Sequence, residues 1–265
     1  MGLFSKKKKK ESNHPSLVVN DVRQETAQSI SIGFTVPADL KSDFRFVAGQ
    51  YITLIVNIKG EEVRRSYSIC SDENDDVLRI GVKRVEGGKM SNYLADNINA
   101  GDSISVLKPE GNFKLENGNG TYVAIAAGSG ITPVLSQMKK SQKANGNYTL
   151  FYGNHTEGST MFKSQLDAMS GGASVKYFYT DNGDSQFTED FISQLFKENL
   201  ELLKADGFYL CGPQQVIENA KNVLSTFGVD SSKVHFELFV VQNEAPKKVK
   251  ASTISGAAKV KYVLD

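Results

Sequence analysis

The amino-acid sequence predicts a small antiparallel β-barrel followed by a doubly wound parallel α/β sheet. Three observations predict it. Up to about residue 117 the chain is a series of short strand-like runs interrupted by one convincing helix, the pattern of a small barrel. At Asn117-Gly118-Asn119-Gly120 the composition changes, and beyond it strands and helices alternate, as in a parallel sheet. The length, 265 residues, accommodates two ordinary domains.

In the first half, Ser29 to Val36 alternates polar and apolar residues at period two. Tyr51 to Val56 is β-branched and aromatic, and Arg65 to Ser71, Val77 to Val85 and Ser103 to Leu107 complete the strands. Turn-forming stretches separate them, such as Asp72-Glu73-Asn74-Asp75-Asp76 and Ala100-Gly101-Asp102. The helix is Met90 to Asn97. In the second half, Tyr122 to Ala127 is a short apolar run ending in glycine, typical of a strand buried on both faces. Strands at Tyr148 to Tyr152, Val175 to Tyr179, Gly207 to Cys211 and Val234 to Phe239 follow it. Helices at Thr132 to Lys143, Phe162 to Ala168 and Glu189 to Phe196 intervene. Val216, Ala220, Val223, Leu224 and Phe227 mark one face of a fourth.

The domain reading is therefore a disordered basic tail over 1–15, a barrel domain over 16–117, an α/β domain over 118–240, and a linker with a lone strand over 241–265. Lys6 to Lys10 read as a solvated tail; attraction to an anionic membrane is the sharper alternative. Lys6 stands where a myristoylation signal needs serine or threonine.

Composition narrows the function classes. A net charge of +1 points to no polyanionic partner, so nucleic acid is not expected. No apolar run approaches the roughly 20 residues that span a bilayer. Two cysteines, Cys70 and Cys211, cannot build a disulfide framework or ligate an iron–sulfur cluster. His14, His155 and His235 lack metal-ligand spacing, so no metal site is expected, and the cytoplasm is the expected compartment.

Four stretches could carry chemistry. Gly128-Ser129-Gly130-Ile131-Thr132-Pro133 follows the first parallel strand, where open sheets bind ligands and a helix start offers unpaired N–H donors. The pattern is GxGxxP, and alone it is equally a strand-to-helix turn without a ligand. Cys211-Gly212-Pro213 is a second strand exit; Cys211 is either core packing or a small group facing a flat ring. Gly87-Gly88-Lys89-Met90-Ser91 opens the barrel helix and suits a pyrophosphate, or is an ordinary turn before a capped helix. In Arg64-Arg65-Ser66-Tyr67-Ser68-Ile69-Cys70, Arg65 can fork onto a phosphate and Tyr67 offers an apolar ring face. Ser68 offers a hydroxyl on the opposite side of the strand; the plain alternative is an edge strand with a charged end.

Together these stretches resemble the ferredoxin–NADP reductase family. Arg65-Ser66-Tyr67-Ser68 is similar to its flavin motif RxYS, and Gly88-Lys89-Met90-Ser91 to its pyrophosphate motif GxxS. The 128–133 and 211–213 stretches resemble its two nicotinamide-nucleotide motifs, and Glu237-Leu238-Phe239 its closing Glu-x-Phe. All five occur in the family's order. The resemblance implies an FAD-binding barrel and an NAD(P)-binding α/β domain, with roles position by position. Arg65 contacts the flavin phosphate, Tyr67 lies against the isoalloxazine, and Ser68 sits near flavin N5. Val82 and Lys83 line the flavin by backbone or side chain; Gly88, Lys89, Met90 and Ser91 hold the pyrophosphate. Gly128, Gly130, Thr132, Gly212 and Pro213 bind the nucleotide. Cys211 lies near the nicotinamide, and Glu237 and Phe239 close the site. Ser68, Cys211 and Glu237 are thus the implied catalytic residues. Hydride transfer requires the two rings about 3–3.5 Å apart.

Within the family the chain most resembles the oxygenase reductases, which add a [2Fe–2S] ferredoxin domain after the α/β domain. Val260-Lys261-Tyr262-Val263-Leu264-Asp265 is similar to the opening strand of that domain. The implied reading is a truncated form of such a protein, with a [2Fe–2S] cluster only if the further domain exists. The implied function is hydride uptake from NAD(P)H and single-electron delivery to a ferredoxin-type domain or protein, with an oxygenase as a further partner. A stand-alone ferredoxin or flavodoxin reductase and a non-enzymatic flavin-binding redox sensor are the alternatives. NADPH and NADH both stay open. The group resemblance leans to NADPH, but His155 stands where NADPH-selective members often carry arginine, and a second such arginine is replaced near Gln186. Lys163 is either a compensating cation or plain helix surface.

Overall fold

The computed structural model describes residues 14–183, 187–241 and 261–264. The Lys6 to Lys10 run and the expected linker from 242 to 260 lie outside them.

The barrel comprises β1 (Ser16–Thr26), β2 (Ser29–Thr35), β3 (Tyr51–Ile58), β4 (Glu61–Ser68), β5 (Val77–Lys83) and β6 (Ser103–Val106). They hydrogen-bond in the order β4-β3-β6-β1-β2-β5, every pair antiparallel. Just past β4, Ile69 bridges Ile80 of β5, and the Cys70 N–H donates to the Arg79 carbonyl at 2.8 Å. That contact joins the two outer strands, so the sheet closes and both edges are paired. Helix α1 (Lys89–Asn97) buries Met90 and Leu94 in the barrel core. Strand β1 is the element the sequence pattern does not announce. Only Leu17 and Val19 are fully buried among its eleven residues, so no sustained alternation marks it.

The second domain is a six-stranded sheet of order β12-β11-β10-β7-β8-β9, all parallel. Its strands are β7 (Thr121–Ala127), β8 (Asn147–Asn154), β9 (Ala173–Tyr179), β10 (Gly207–Gly212), β11 (Val234–Val241) and β12 (Lys261–Leu264). The helices are α2 (Ile131–Lys143), α3 (Lys163–Asp167), α4 (Glu189–Glu198) and α5 (Gln214–Thr226). Alternate residues of β7 go to opposite faces. Tyr122, Ala124 and Ala126 pack with Ile131, Val134, Leu135 and Met138 of α2. Val123 and Ile125 pack with Ile192, Leu195 and Phe196 of α4 and Ile217, Ala220 and Leu224 of α5. This is why β7 reads as an unbroken apolar run. Helix α4 starts where Thr188 accepts the Phe191 N–H, with Glu189 and Asp190 in the first turn.

Lys261–Leu264 is expected as a lone strand beyond a linker. It instead pairs in parallel with the carboxyl end of β11, where Leu238 to Val241 offer an otherwise free edge.

The barrel is fastened to α2 along the helix's length. Ser136 Oγ donates to the Ser71 carbonyl at 2.7 Å, and Lys139 Nζ to the Cys70 carbonyl at 2.9 Å. Lys140 pairs with Glu73 and Lys143 with Asp72, each at 2.7 Å, while Gln137 donates to the Phe113 carbonyl at 2.8 Å. Single exposed ion pairs contribute about 0–1 kcal/mol, so it is the set on one helix that holds the domains. A second contact is steric. A Cβ on Gly81 of β5 would lie 2.5 Å from Thr132 Cγ2 and 3.1 Å from the Phe162 ring, so the barrel meets the α/β domain there at backbone distance.

Burial alone would raise the Asp72 carboxyl, but the Lys143 ammonium and the Asn74 N–H together hold it below the ordinary aspartate value. A depressed carboxylate stabilises the fold above its unfolded-state pKa, and the contribution disappears as pH falls through the folded-state pKa. Asp72→Asn should therefore lower the urea midpoint at pH 7 and flatten its decline below about pH 4. A variant with the wild-type midpoint at pH 7 and the wild-type acid limb would show that the Asp72–Lys143 pair does not hold the domains.

Candidate active site at the barrel–sheet cleft

The parallel sheet reverses its winding between β7 and β10. From β7 the chain moves to β8 and β9, then crosses back to β10 and β11 on the other side. The connections that leave the carboxyl ends of β7 and β10 therefore run to opposite faces of the sheet, the place where open sheets bind ligands. Both glycine-containing exits lie here. Gly128–Gly130 forms a single tight turn that leads directly into α2. A Cβ on Gly130 would sit 2.2 Å from the Cys211 carbonyl oxygen, so the two exits touch and only glycine fits. The Tyr152 hydroxyl donates to the Gly128 carbonyl at 2.9 Å and pins the turn from β8. Thr132 is buried; its hydroxyl donates to the Ser129 carbonyl at 3.0 Å. Gly212 is buried, and the exposed Pro213 stands at the start of α5, its φ of −58° suited to a helix entry.

On the barrel side, Tyr67 and Ser68 end β4 and are both buried. Arg65 is half-buried, and its Nη1 donates to the Arg64 carbonyl at 2.8 Å. Gly88 precedes α1, and no side chain caps the helix start. Ser91 Oγ accepts the Val85 N–H at 3.2 Å. The Lys89 ammonium turns away to Glu61 at 2.8 Å, so Lys89 presents its backbone rather than its charge at the helix start. The Lys89 ammonium, and to a smaller extent the Arg65 charge, hold the Glu61 carboxyl below its ordinary value. Val82 and Met90 fill the barrel core, so Val82 can face a ligand only through its backbone.

The two halves meet at buried polar groups. Ser68 Oγ donates to Glu237 Oε2 at 3.4 Å across the domain boundary, and Glu237 is 3% exposed. Cys211 pairs in register with Glu237 on β10 and β11. Burial, and then the neighbouring Glu237 charge, push the Cys211 thiol well above its ordinary value, so it stays protonated at neutral pH. A protonated, fully buried thiol is a compact packing group and not a nucleophile. Phe239 packs half-buried against the same cluster.

The Lys83 side chain reaches across the domain boundary. Its Nζ lies 3.5 Å from where a side chain on Gly128 would begin, so it faces the nucleotide turn. Burial lowers its pKa, and it has no ion-pair or hydrogen-bond partner among the described residues. A half-buried cation aimed at an uncapped helix start suits an anion.

These donors fit a flavin dinucleotide and a nicotinamide nucleotide. The barrel offers a pyrophosphate the start of α1, which no side chain caps, together with Arg65; the sheet offers the Gly128–Gly130 turn, likewise without a side-chain cap and faced by Lys83. The sequence pattern does not reveal Tyr152, nor the lysines at 139, 140 and 143. Their signal was present: an acidic loop over 72–76 and a basic stripe at i, i+1 and i+4 on the predicted helix.

Residues 17–115 match the family model described as an oxidoreductase FAD-binding domain, and residues 124–222 the model described as an oxidoreductase NAD-binding domain. One component of the 1,2-phenylacetyl-CoA epoxidase of Escherichia coli is 34% identical, over 84% of this chain and 67% of its own. The ferredoxin reductase component of the 3-ketosteroid-9-alpha-monooxygenase of Rhodococcus rhodochrous is 31% identical, over 94% of this chain and 73% of its own. The crystal structure of the FAD/NAD-binding domain of nitric oxide dioxygenase from Vibrio cholerae superposes with a TM-score of 0.74 at 28% identity, covering 86% of this chain and 99% of that one. With both domain models matched in order, and with their ligand-binding ends converging on one cleft, the chain belongs to the ferredoxin–NADP reductase family of FAD- and NAD-binding oxidoreductases.

Proposed function

We propose that this NAD(P)H-dependent flavoprotein delivers electrons one at a time to a ferredoxin-type iron–sulfur centre that serves an oxygenase. The observation that carries the reading is the convergence of Ser68, Glu237, Cys211 and the Gly128–Gly130 turn at one buried boundary. When bound, FAD accepts a hydride from the nicotinamide and can release its two electrons separately. The acceptor class is supported by the relatives, a ferredoxin reductase component of a monooxygenase among them. The unbridged Cys70 and Cys211 support a cytoplasmic setting.

The chain's own residues divide the work as follows. Arg65 and the N–H groups opening α1 hold the flavin phosphates, and Tyr67 and Ser68 bound the ring. Lys83 and the N–H groups of the Gly128–Gly130 turn hold the pyrophosphate of the nicotinamide nucleotide. Glu237 orients the Ser68 hydroxyl, and Cys211 keeps the sheet side of the cleft small. Buried, dry walls on both sides exclude water from the transfer path.

Anaerobic mixing with NADH or NADPH should bleach the visible flavin band; a protein that keeps its flavin and bleaches with neither is not a reductase. Arg65→Ala removes a charge-assisted phosphate contact of about 1.5–3 kcal/mol, so flavin dissociation constants should rise about ten- to a hundredfold. Full occupancy after dialysis would refute that role. Lys83→Met should raise KM for the nicotinamide nucleotide about tenfold while flavin content stays intact. Loss of flavin with unchanged KM would assign Lys83 to the flavin instead.

A further inference from the structure

We infer that the chain selects NADH over NADPH, because the surface that receives the adenosine ribose opposes a 2′-phosphate; the inference rests on the nucleotide site assigned above. With the pyrophosphate on the first glycine turn, the ribose 2′ position is reached by residues that follow the second strand of the unit. Here that strand is β8, and the chain leaves it through Asn154, His155, Thr156 and the short turn Glu157–Ser159.

The exit of β9 lies alongside. The Asp181 N–H donates to the His155 carbonyl at 3.1 Å, and His155 Nδ1 is 2.9 Å from Thr180 Oγ1. The two exits therefore form one surface. Its ammonium group is Lys163, and that group is already engaged. It lies 2.7 Å from Asp167, 3.3 Å from Glu157 and 4.9 Å from the centre of the Tyr177 ring. The Tyr177 hydroxyl donates to Asp167 at 2.7 Å and holds the carboxylate in place.

Among the described residues 154–163 and 177–183 there is no arginine and no lysine besides Lys163. On this surface Glu157, Asp167 and Asp181 outnumber the one ammonium. His155 is the remaining candidate cation. An imidazole carries no fixed charge and cannot fork onto two phosphate oxygens as a guanidinium does. A 2′-phosphate brings between one and two negative charges to carboxylates, and like charges brought together in an interface oppose binding. A ribose 2′-hydroxyl brings no charge and can donate to a carboxylate such as Glu157, so the same surface accepts NADH. Lys163 is thus a tethered residue of the rim rather than a phosphate ligand.

The test has two arms on the intact flavoprotein. In the first, calorimetric titration compares 5′-AMP with adenosine 2′,5′-bisphosphate, which differ only by the 2′-phosphate. Tighter binding of 5′-AMP is expected; equal or tighter binding of the bisphosphate, or no binding of either, overturns the inference. In the second, stopped-flow bleaching compares NADH with NADPH. NADH should show at least about a tenfold higher kcat/KM. The double variant His155→Arg, Glu157→Gln should move the ratio toward NADPH by about tenfold or more. Equal use of both by the wild type, or a double variant with an unmoved ratio, overturns it. Bleaching by neither nucleotide overturns the reductase reading instead, and the fragment arm still decides the preference of the site.

Discussion

Helix α2 carries the constraint on which the site depends. Its amino end forms the nucleotide turn, and its body is tied to the barrel through Ser136, Gln137, Lys139, Lys140 and Lys143. A turn that must present a nicotinamide to a ring held by another domain cannot be positioned by its own domain alone. Here the element that ends in the turn is the same element that docks the barrel. A rigid helix rises about 1.5 Å per residue, so contacts spread from 136 to 143 along its axis fix its direction as well as its place. Tolerances for ring stacking are a fraction of an ångström to about one ångström, and one hinge contact would not hold them.

Burial completes the arrangement. Ser68 and Glu237 are both almost wholly out of solvent yet belong to different domains. A buried carboxylate without a partner is costly, so the Ser68 contact has a structural as well as an orienting role. Cys211 fills the space beside it with a protonated thiol, smaller than leucine and without a second buried charge. The barrel closes on itself through Ile69 and Ile80 just where β4 delivers these groups, and closure stiffens the strand end that bears Ser68.

What the sequence made legible was local. The apolar run of β7, the glycine exits and the Arg65 to Ser68 stretch each depend on residues a few positions apart, and each forms the strand or strand exit expected of it. The interdomain clamp was not legible in the same way. Asp72 and Lys143 are 71 positions apart, and Asp72-Glu73-Asn74-Asp75-Asp76 reads as a turn until the helix opposite it is known. Side-chain direction was the other blind spot. Lys89 and Lys83 both belong to stretches that the motifs assign to the flavin by backbone or side chain, which leaves side-chain direction open; here Lys89 is held by Glu61 and Lys83 faces Gly128. A long flexible side chain can reach either of two neighbours, and only the packing around it decides which. Strand β1 was unmarked because few of its side chains are buried deeply enough to leave a pattern.

Lys83 belongs to the barrel, yet the turn it faces belongs to the other domain. An anion lodged between them is therefore a tie from one domain to the other, and thermodynamic reciprocity follows. With Lys83 on the nucleotide phosphate as proposed, nucleotide occupancy would stiffen the assembly of the two halves, and anything that tightens that assembly would prolong nucleotide residence. Because burial already removes part of the ammonium's water in the folded chain, an arriving phosphate would meet a charge whose dehydration had begun during folding. Loosening the halves would rehydrate that charge and weaken its hold, so cofactor traffic and interdomain rigidity share a single free-energy scale.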